Sequence, residues 1–115
     1  MQSFEYLACP YSHEDPKVRE YRFECATSVA VKLMQQGLVI YSPITHSHPM
    51  AVRHKLPGDW GFWQKFDTMF IQASSGLYVL MLPGWHESTG VQAEMGIAHE
   101  HHKPITYLFS HFADE

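Results

Sequence analysis

Apolar and polar positions come in blocks along this chain, and each block has a recognisable period. Phe4 to Cys9 is a short apolar run stopped by Pro10, which predicts a buried strand. A polar stretch leads to Asp15 and Pro16, a cap and a first-turn proline for a helix. Phe23, Ala26, Ala30, Leu33 and Met34 then recur at helical spacing until Gly37 ends the helix. Leu38 to Tyr41 is a second strand, stopped by Ser42-Pro43. From Ile44 to Gly58 the period is lost; His46, His48, Pro49 and Pro57 predict a loop with no more than one helical turn. Asp59 caps the next helix, in which Phe62, Phe66, Met69, Phe70 and Ala73 mark the expected inner face. Leu77 to Leu82 is the most continuous strand signal and ends at Pro83-Gly84. Val91 to about His101 is a helix, and Ile105 to Phe109 is a last strand after Pro104.

Strands that alternate with helices imply a parallel sheet covered on both faces. The strands lack polar alternation, as expected for a sheet buried on both sides. The expected fold is therefore α/β: a single-domain Rossmann/flavodoxin-like three-layer sandwich with a four- to five-stranded parallel sheet over residues 1–115. Ligands of such sheets bind beyond the carboxyl ends of the strands, where the strand order reverses. Three loops should meet there: Cys9 to Asp15, Ser42 to His48, and Pro83 to Gly90.

Composition narrows the function classes. The chain has 115 residues, of which 45% are hydrophobic, enough for one buried core. A net charge of −4 argues against a nucleic-acid binder, though not against a local phosphate pocket. Cys9 and Cys25 fit no disulfide framework or metal motif and read as free thiols in a reducing compartment. The N-terminus lacks the order of a signal peptide, and no apolar run is long enough to span a bilayer. The expectation is a cytoplasmic protein with no membrane partner. Nine histidines invite a metal reading. Neither His46-Ser47-His48 nor His99-Glu100-His101-His102 has the spacing of a zinc helix motif, so no metal is expected. With no Gly-x-Gly-x-x-Gly and no P-loop, no cofactor is expected either.

The chemistry concentrates after the third strand. Val91, Met95 and Ala98 define one helix face, and Glu94 falls inside it. A carboxylate in an apolar stripe is costly unless it is paired or used. The plain alternative is a rim glutamate that reaches solvent or pairs with a lysine. Gly84 and Gly90 bracket a loop with Glu87, Ser88 and Thr89, where a ligand could approach the backbone at a helix start. Ser88 or Thr89 could equally be just the helix cap. Asp67 sits among apolar neighbours in the preceding helix. It could supply a proton to a leaving group, or be an ordinary solvated residue. Trp60, Trp63 and Trp85 could stack a base; Trp85, inside the loop, is the strongest of the three, and the others could be core.

Tyr6-Leu7-Ala8-Cys9-Pro10-Tyr11-Ser12, Ser42-Pro43-Ile44, Asp59-Trp60 with Asp67, and Leu82-Pro83-Gly84-Trp85 with Glu87-Ser88-x-Gly90-x-x-x-Glu94 together resemble the nucleoside 2-deoxyribosyltransferase superfamily. They are closest to its small bacterial and phage branch of unknown-function domains. The resemblance covers nearly the whole chain. It implies that Glu94 is a nucleophile toward the anomeric carbon, that Asp67 assists the departing base, and that Tyr6 lies near both nucleophile and sugar. Cys9, Tyr11, Ser12, His46, Trp85, Ser88 and Gly90 become the substrate-binding candidates. Ser88 is what the family's 2'-deoxynucleoside 5'-monophosphate N-glycosidases carry, where the transferases have an acid, and it tilts the resemblance toward a nucleotide and hydrolysis. Two positions depart from the pattern: Cys9 replaces a glycine, and Ser12 replaces a phosphate-binding arginine. A phosphate would need another cation, such as His13, Arg53 or Lys55. The implied activity is N-glycoside cleavage or transfer on a nucleoside or nucleoside 5'-monophosphate. The family also implies a homo-oligomer, a dimer or tetramer. The alternatives are a non-catalytic nucleotide-binding or sensing module on the same fold, and a structural subunit with no pocket.

Overall fold

The computed structural model describes residues 3–114. Four strands form one sheet: β1 (Glu5–Ala8), β2 (Ile40–Tyr41), β3 (Gly76–Met81) and β4 (Ile105–Phe109). All pairings are parallel, and the spatial order is β2-β1-β3-β4. This is the expected Rossmann/flavodoxin-like sandwich. The order reverses between β1 and β3, so a crevice opens beyond their carboxyl ends.

Face parity along the strands decides which helix each side chain meets. Leu7, Cys9, Leu80 and Leu82 pack with Cys25, Ala26, Val29 and Leu33 of α1 (Pro16–Gln35). Tyr6, Ala8, Leu77 and Val79 point the other way, toward Ile71 of α3 (Trp60–Ala73) and Val91 and Ala98 of α4 (Thr89–Glu100). Helix α1 begins where expected: the Asp15 side chain accepts from the Lys17 N–H at 2.9 Å, with Pro16 at the first position. Asp59 stands at the N-cap of α3 but makes no side-chain cap bond.

Two expectations fail. Residues 43–54 are not a loop but a helix, α2 (Pro43–His54). Ser42 caps it, Pro43 occupies its first turn, and Lys55 ends it in a left-handed conformation with φ 55°. Pro49 reads as a breaker, yet it removes only one intrahelical donor, and the cap supports the first turn. The second failure is the inner face of α3. Phe66, Met69 and Phe70 are exposed, whereas Trp60, Trp63, Asp67 and Ile71 line the inward stripe. The helix is apolar on nearly every side, so periodicity alone cannot orient it. A 3-10 turn, Ser110–Asp114, follows β4 and packs on α1 through Phe112 and Ala113. Among the described residues no helix is long and apolar enough to cross a membrane.

Gly76 begins β3 where three strands converge. An added Cβ would meet Glu5 Oε2 at 2.8 Å, the Pro104 carbonyl at 3.1 Å and Pro104 Cγ at 3.2 Å. Gly76→Ala is expected to destabilise the fold by about 1–3 kcal/mol, read from chemical denaturation with an unchanged m-value. Unaltered stability would mean that the sheet base yields more easily than its packing indicates.

Candidate functional site

The crevice beyond β1 and β3 is a cavity of about 520 Å³, a size suited to a small molecule. Glu94 reaches it from α4. The buried residues of that helix are Val91, Glu94 and Ala98, so the carboxylate does sit in the core-facing stripe, only 5% exposed. Its partner is not a lysine. Tyr6, with no exposed surface, donates its hydroxyl proton to Glu94 Oε2. Parity explains the contact: Tyr6 leaves β1 on the α4 face, directly beneath the cavity. Tyr6 does not line the cavity surface, so it positions Glu94 rather than touching a ligand.

Asp67 lines the same cavity from α3. Burial pushes its carboxyl up to about 6, opposed by the Tyr6 hydroxyl. Burial also holds the Glu94 carboxyl well above the usual range, the Asp67 charge adds to this, and the Tyr6 hydrogen bond works against it. Two carboxyls in one desolvated cavity cannot both ionise cheaply, so they titrate as a pair. Over a window that opens near pH 6, the pair holds one proton and one charge.

The loops around this pair are braced from below. The Ser88 hydroxyl caps α4 by accepting from the Val91 N–H at 3.2 Å, and it lines the cavity as well. Cap and lining residue are thus one side chain. Gly90 lines the cavity beside it. Gly84 turns the chain with φ 91°, and an added Cβ would stand 2.9 Å from Arg22 Nη2. Arg22 on α1 donates to the Ser12 carbonyl at 3.1 Å and the Pro83 carbonyl at 3.2 Å, joining the loops after β1 and β3. Sequence reasoning missed this brace, because nothing in the spacing marks a helix arginine that grips two loops. Cys9 lines the cavity as a thiol; burial pushes its pKa far up, and it donates weakly to the Pro10 carbonyl at 3.4 Å. Tyr11 and Ser12 complete that wall.

Two expected substrate contacts lie elsewhere. His46 leans on Tyr41, with ring centroids 6.2 Å apart, and is not part of the cavity wall. The helix α2 explains this: residues two apart point to nearly opposite sides. His48 takes the inward position instead. It is buried, and its Nδ1 lies 2.5 Å from the Tyr11 hydroxyl and its Nε2 2.8 Å from Glu20 Oε1. Trp85 turns away onto Tyr107 of β4, 6.1 Å between rings, and packs against the α4-side core. Trp60 and Trp63 are the indoles that line the cavity. Their signal was present, since they share the α3 stripe with Asp67. Among the described residues no group of three or more His, Cys, Asp or Glu is placed to hold a metal ion.

A carboxyl whose pKa is higher in the folded than in the unfolded chain favours the fold at low pH and loses that contribution as pH rises through its folded value. Glu94→Gln keeps the shape and can still accept the Tyr6 proton. At pH 8 it is expected to raise the thermal midpoint by roughly 4–8 °C, a gain that shrinks toward pH 4. A midpoint that falls at pH 8 would contradict the strain assigned to this carboxylate.

No curated protein matches the chain in sequence. A family model described as a domain of unknown function (DUF1937) matches residues 4–110. That span takes in every strand and the whole cavity wall, and the chain belongs to the DUF1937 family.

Proposed function

We propose that the protein cleaves or transfers the N-glycosidic bond of a nucleoside or nucleoside 5'-monophosphate, in the manner of the nucleoside 2-deoxyribosyltransferase superfamily. The observation that carries the reading is the pair of carboxyls on one cavity wall, buried Glu94 and half-buried Asp67, with the Tyr6 hydroxyl donating to Glu94. That donated proton favours the charge on Glu94, where a nucleophile needs it. In the first step Glu94 attacks C1' and the C1'–N bond breaks. Its electrons leave with the base, whose nitrogen takes the proton held by the pair, delivered through Asp67. In the second step Asp67 accepts a proton from water, the hydroxide attacks C1', and Glu94 is released; a second base in place of water gives transfer. Trp60 and Trp63 offer apolar surface on which a base could stack.

Turnover tests the reading. Deoxyribo- and ribonucleosides and their monophosphates are incubated with the protein, and free base is measured. Release is expected for at least one substrate, and Glu94→Ala should lower it by three orders of magnitude or more, on the order of the loss of a catalytic nucleophile. The rate should follow a bell in pH. Its acid limb lies near 6, below which the pair takes up its second proton and Glu94 loses the charge it attacks with. Tyr6→Phe should cost roughly 10–100-fold, the worth of a hydrogen bond to a charged group. Ligand binding without any base release would favour the alternative, a nucleotide-binding module.

The proposal extends to the assembly and the compartment. Exposed Phe66 and Met69 on α3 and Phe109 on β4 support a homo-oligomer. Light scattering at micromolar concentration should give a mass of at least two chains, and a monomer would remove this part of the reading. The buried, unpaired Cys9 and Cys25 support the cytoplasm.

A further inference from the structure

At Tyr11 and Ser12, the wall of the cavity opposite the carboxyl pair has a fixed hydrogen-bond polarity. Helices α1 and α2 and the loop after β1 build it. The Glu20 carboxylate can only accept, so His48 Nε2, 2.8 Å away, carries the ring proton; in that tautomer Nδ1 is an acceptor. The Tyr11 hydroxyl, 2.5 Å from Nδ1, therefore donates its only proton to His48. Stacking on Phe23, with centroids 4.5 Å apart, holds the imidazole in place. The neighbouring Ser12 hydroxyl is committed too, donating to the Gly58 carbonyl at 2.6 Å. Both Tyr11 and Ser12 line the cavity with lone pairs and no free proton.

Charge points the same way. Asp59, Asp67, Glu87 and Glu94 line the cavity, and among its described lining residues there is no lysine or arginine. The groove beyond Tyr11 holds Arg19 and Lys55, but Glu14 and Asp59 face them there. Arg19 also donates to the His13 carbonyl. At the start of α4 the Ser88 hydroxyl accepts from the Val91 N–H and keeps its own proton free; it and the Thr89 hydroxyl line the cavity among these acids.

We infer that Tyr11, held by His48 and Glu20, is a specificity-determining acceptor: it takes a hydrogen bond from a ligand hydroxyl or N–H group and turns away a phosphate. The inference rests on the nucleoside reading above and narrows it to uncharged nucleosides. An acceptor facing a phosphate oxygen offers no hydrogen bond, and the charge on the carboxyl pair, with Asp59 and Glu87 nearby, adds repulsion. His48 and Glu20 act through Tyr11 and are positioning residues.

The experiment compares 2'-deoxyadenosine with its 5'-monophosphate at pH 8. Both equilibrium binding, by calorimetry, and base release are measured. The nucleoside is expected to be preferred by at least about tenfold, the worth of one matched hydrogen bond. Tyr11→Phe should weaken the nucleoside roughly tenfold and leave the monophosphate nearly unchanged. His48→Phe keeps the stack on Phe23 but frees the Tyr11 proton, so the preference should collapse. Tyr11→Phe, on a partly exposed side chain, supplies the test if His48→Phe does not fold. A preference for the monophosphate, or equal losses for both ligands in Tyr11→Phe, would overturn the inference. Selective nucleoside binding without base release would sustain it while removing the glycosidase reading. Base release that favours the monophosphate would do the reverse, and failure of both ligands to bind would count against both.

Discussion

The hydrogen bond from Tyr6 to Glu94 is the contact around which the structure is arranged. It joins β1, one of the two inner strands of the sheet, to the helix after β3, across the switch point. It forms because Tyr6 lies on the α4 face of β1, and because Glu94 falls on the sheet-facing side of a helix capped at Ser88. A shift of one residue in β1 would send Tyr6 to the α1 face and leave Glu94 buried without a donor. A buried carboxylate without a partner costs several kcal/mol. The local pattern and the global fold therefore support the same arrangement.

Much of this was legible in the sequence, for definite reasons. Glu94 stood out because it interrupts an apolar stripe, and that stripe is the one buried in the structure. The Asp15-Pro16 start of α1 and the Ser88 cap follow from local backbone chemistry and needed no tertiary information. The errors came where tertiary contacts decide. On α3, apolar residues on most sides leave the rotation of the helix open, and periodicity puts Phe66 and Met69 on the inner face although both are exposed. The true stripe of Trp60, Trp63, Asp67 and Ile71 is set by what the sheet and α4 present to it. Asp67 is thus a better-founded site residue than its spacing alone suggested.

The helix α2 shows the other kind of blindness. Two prolines and three histidines between residues 43 and 54 read as irregular, and periodicity offers no counterargument when the inward face carries Pro43 and His48 in place of aliphatic residues. Once that segment is helical, His46 and His48 part company. The one kept inside is the one with two hydrogen-bond partners waiting, Tyr11 and Glu20. Burying an imidazole without them would be costly, so partner supply rather than hydrophobicity sets the register of this helix.

The two halves of the cavity then differ in a way that a list of residues does not reveal. On the α3–α4 side, two carboxyls compete for one proton, and a tyrosine beneath them donates. On the α1–α2 side, a tyrosine donates to an imidazole and the imidazole to a carboxylate, away from the cavity. Tyr6 and Tyr11 have the same functional group and opposite consequences: one spends its proton on a cavity carboxylate, the other on the scaffold. What a cavity will accept is set by where each hydroxyl proton is already committed. Here the commitments leave Tyr11 and Ser12 as acceptors on one wall, and carboxyls that share one proton on the other, an arrangement that suits a neutral, donor-rich ligand better than an anion.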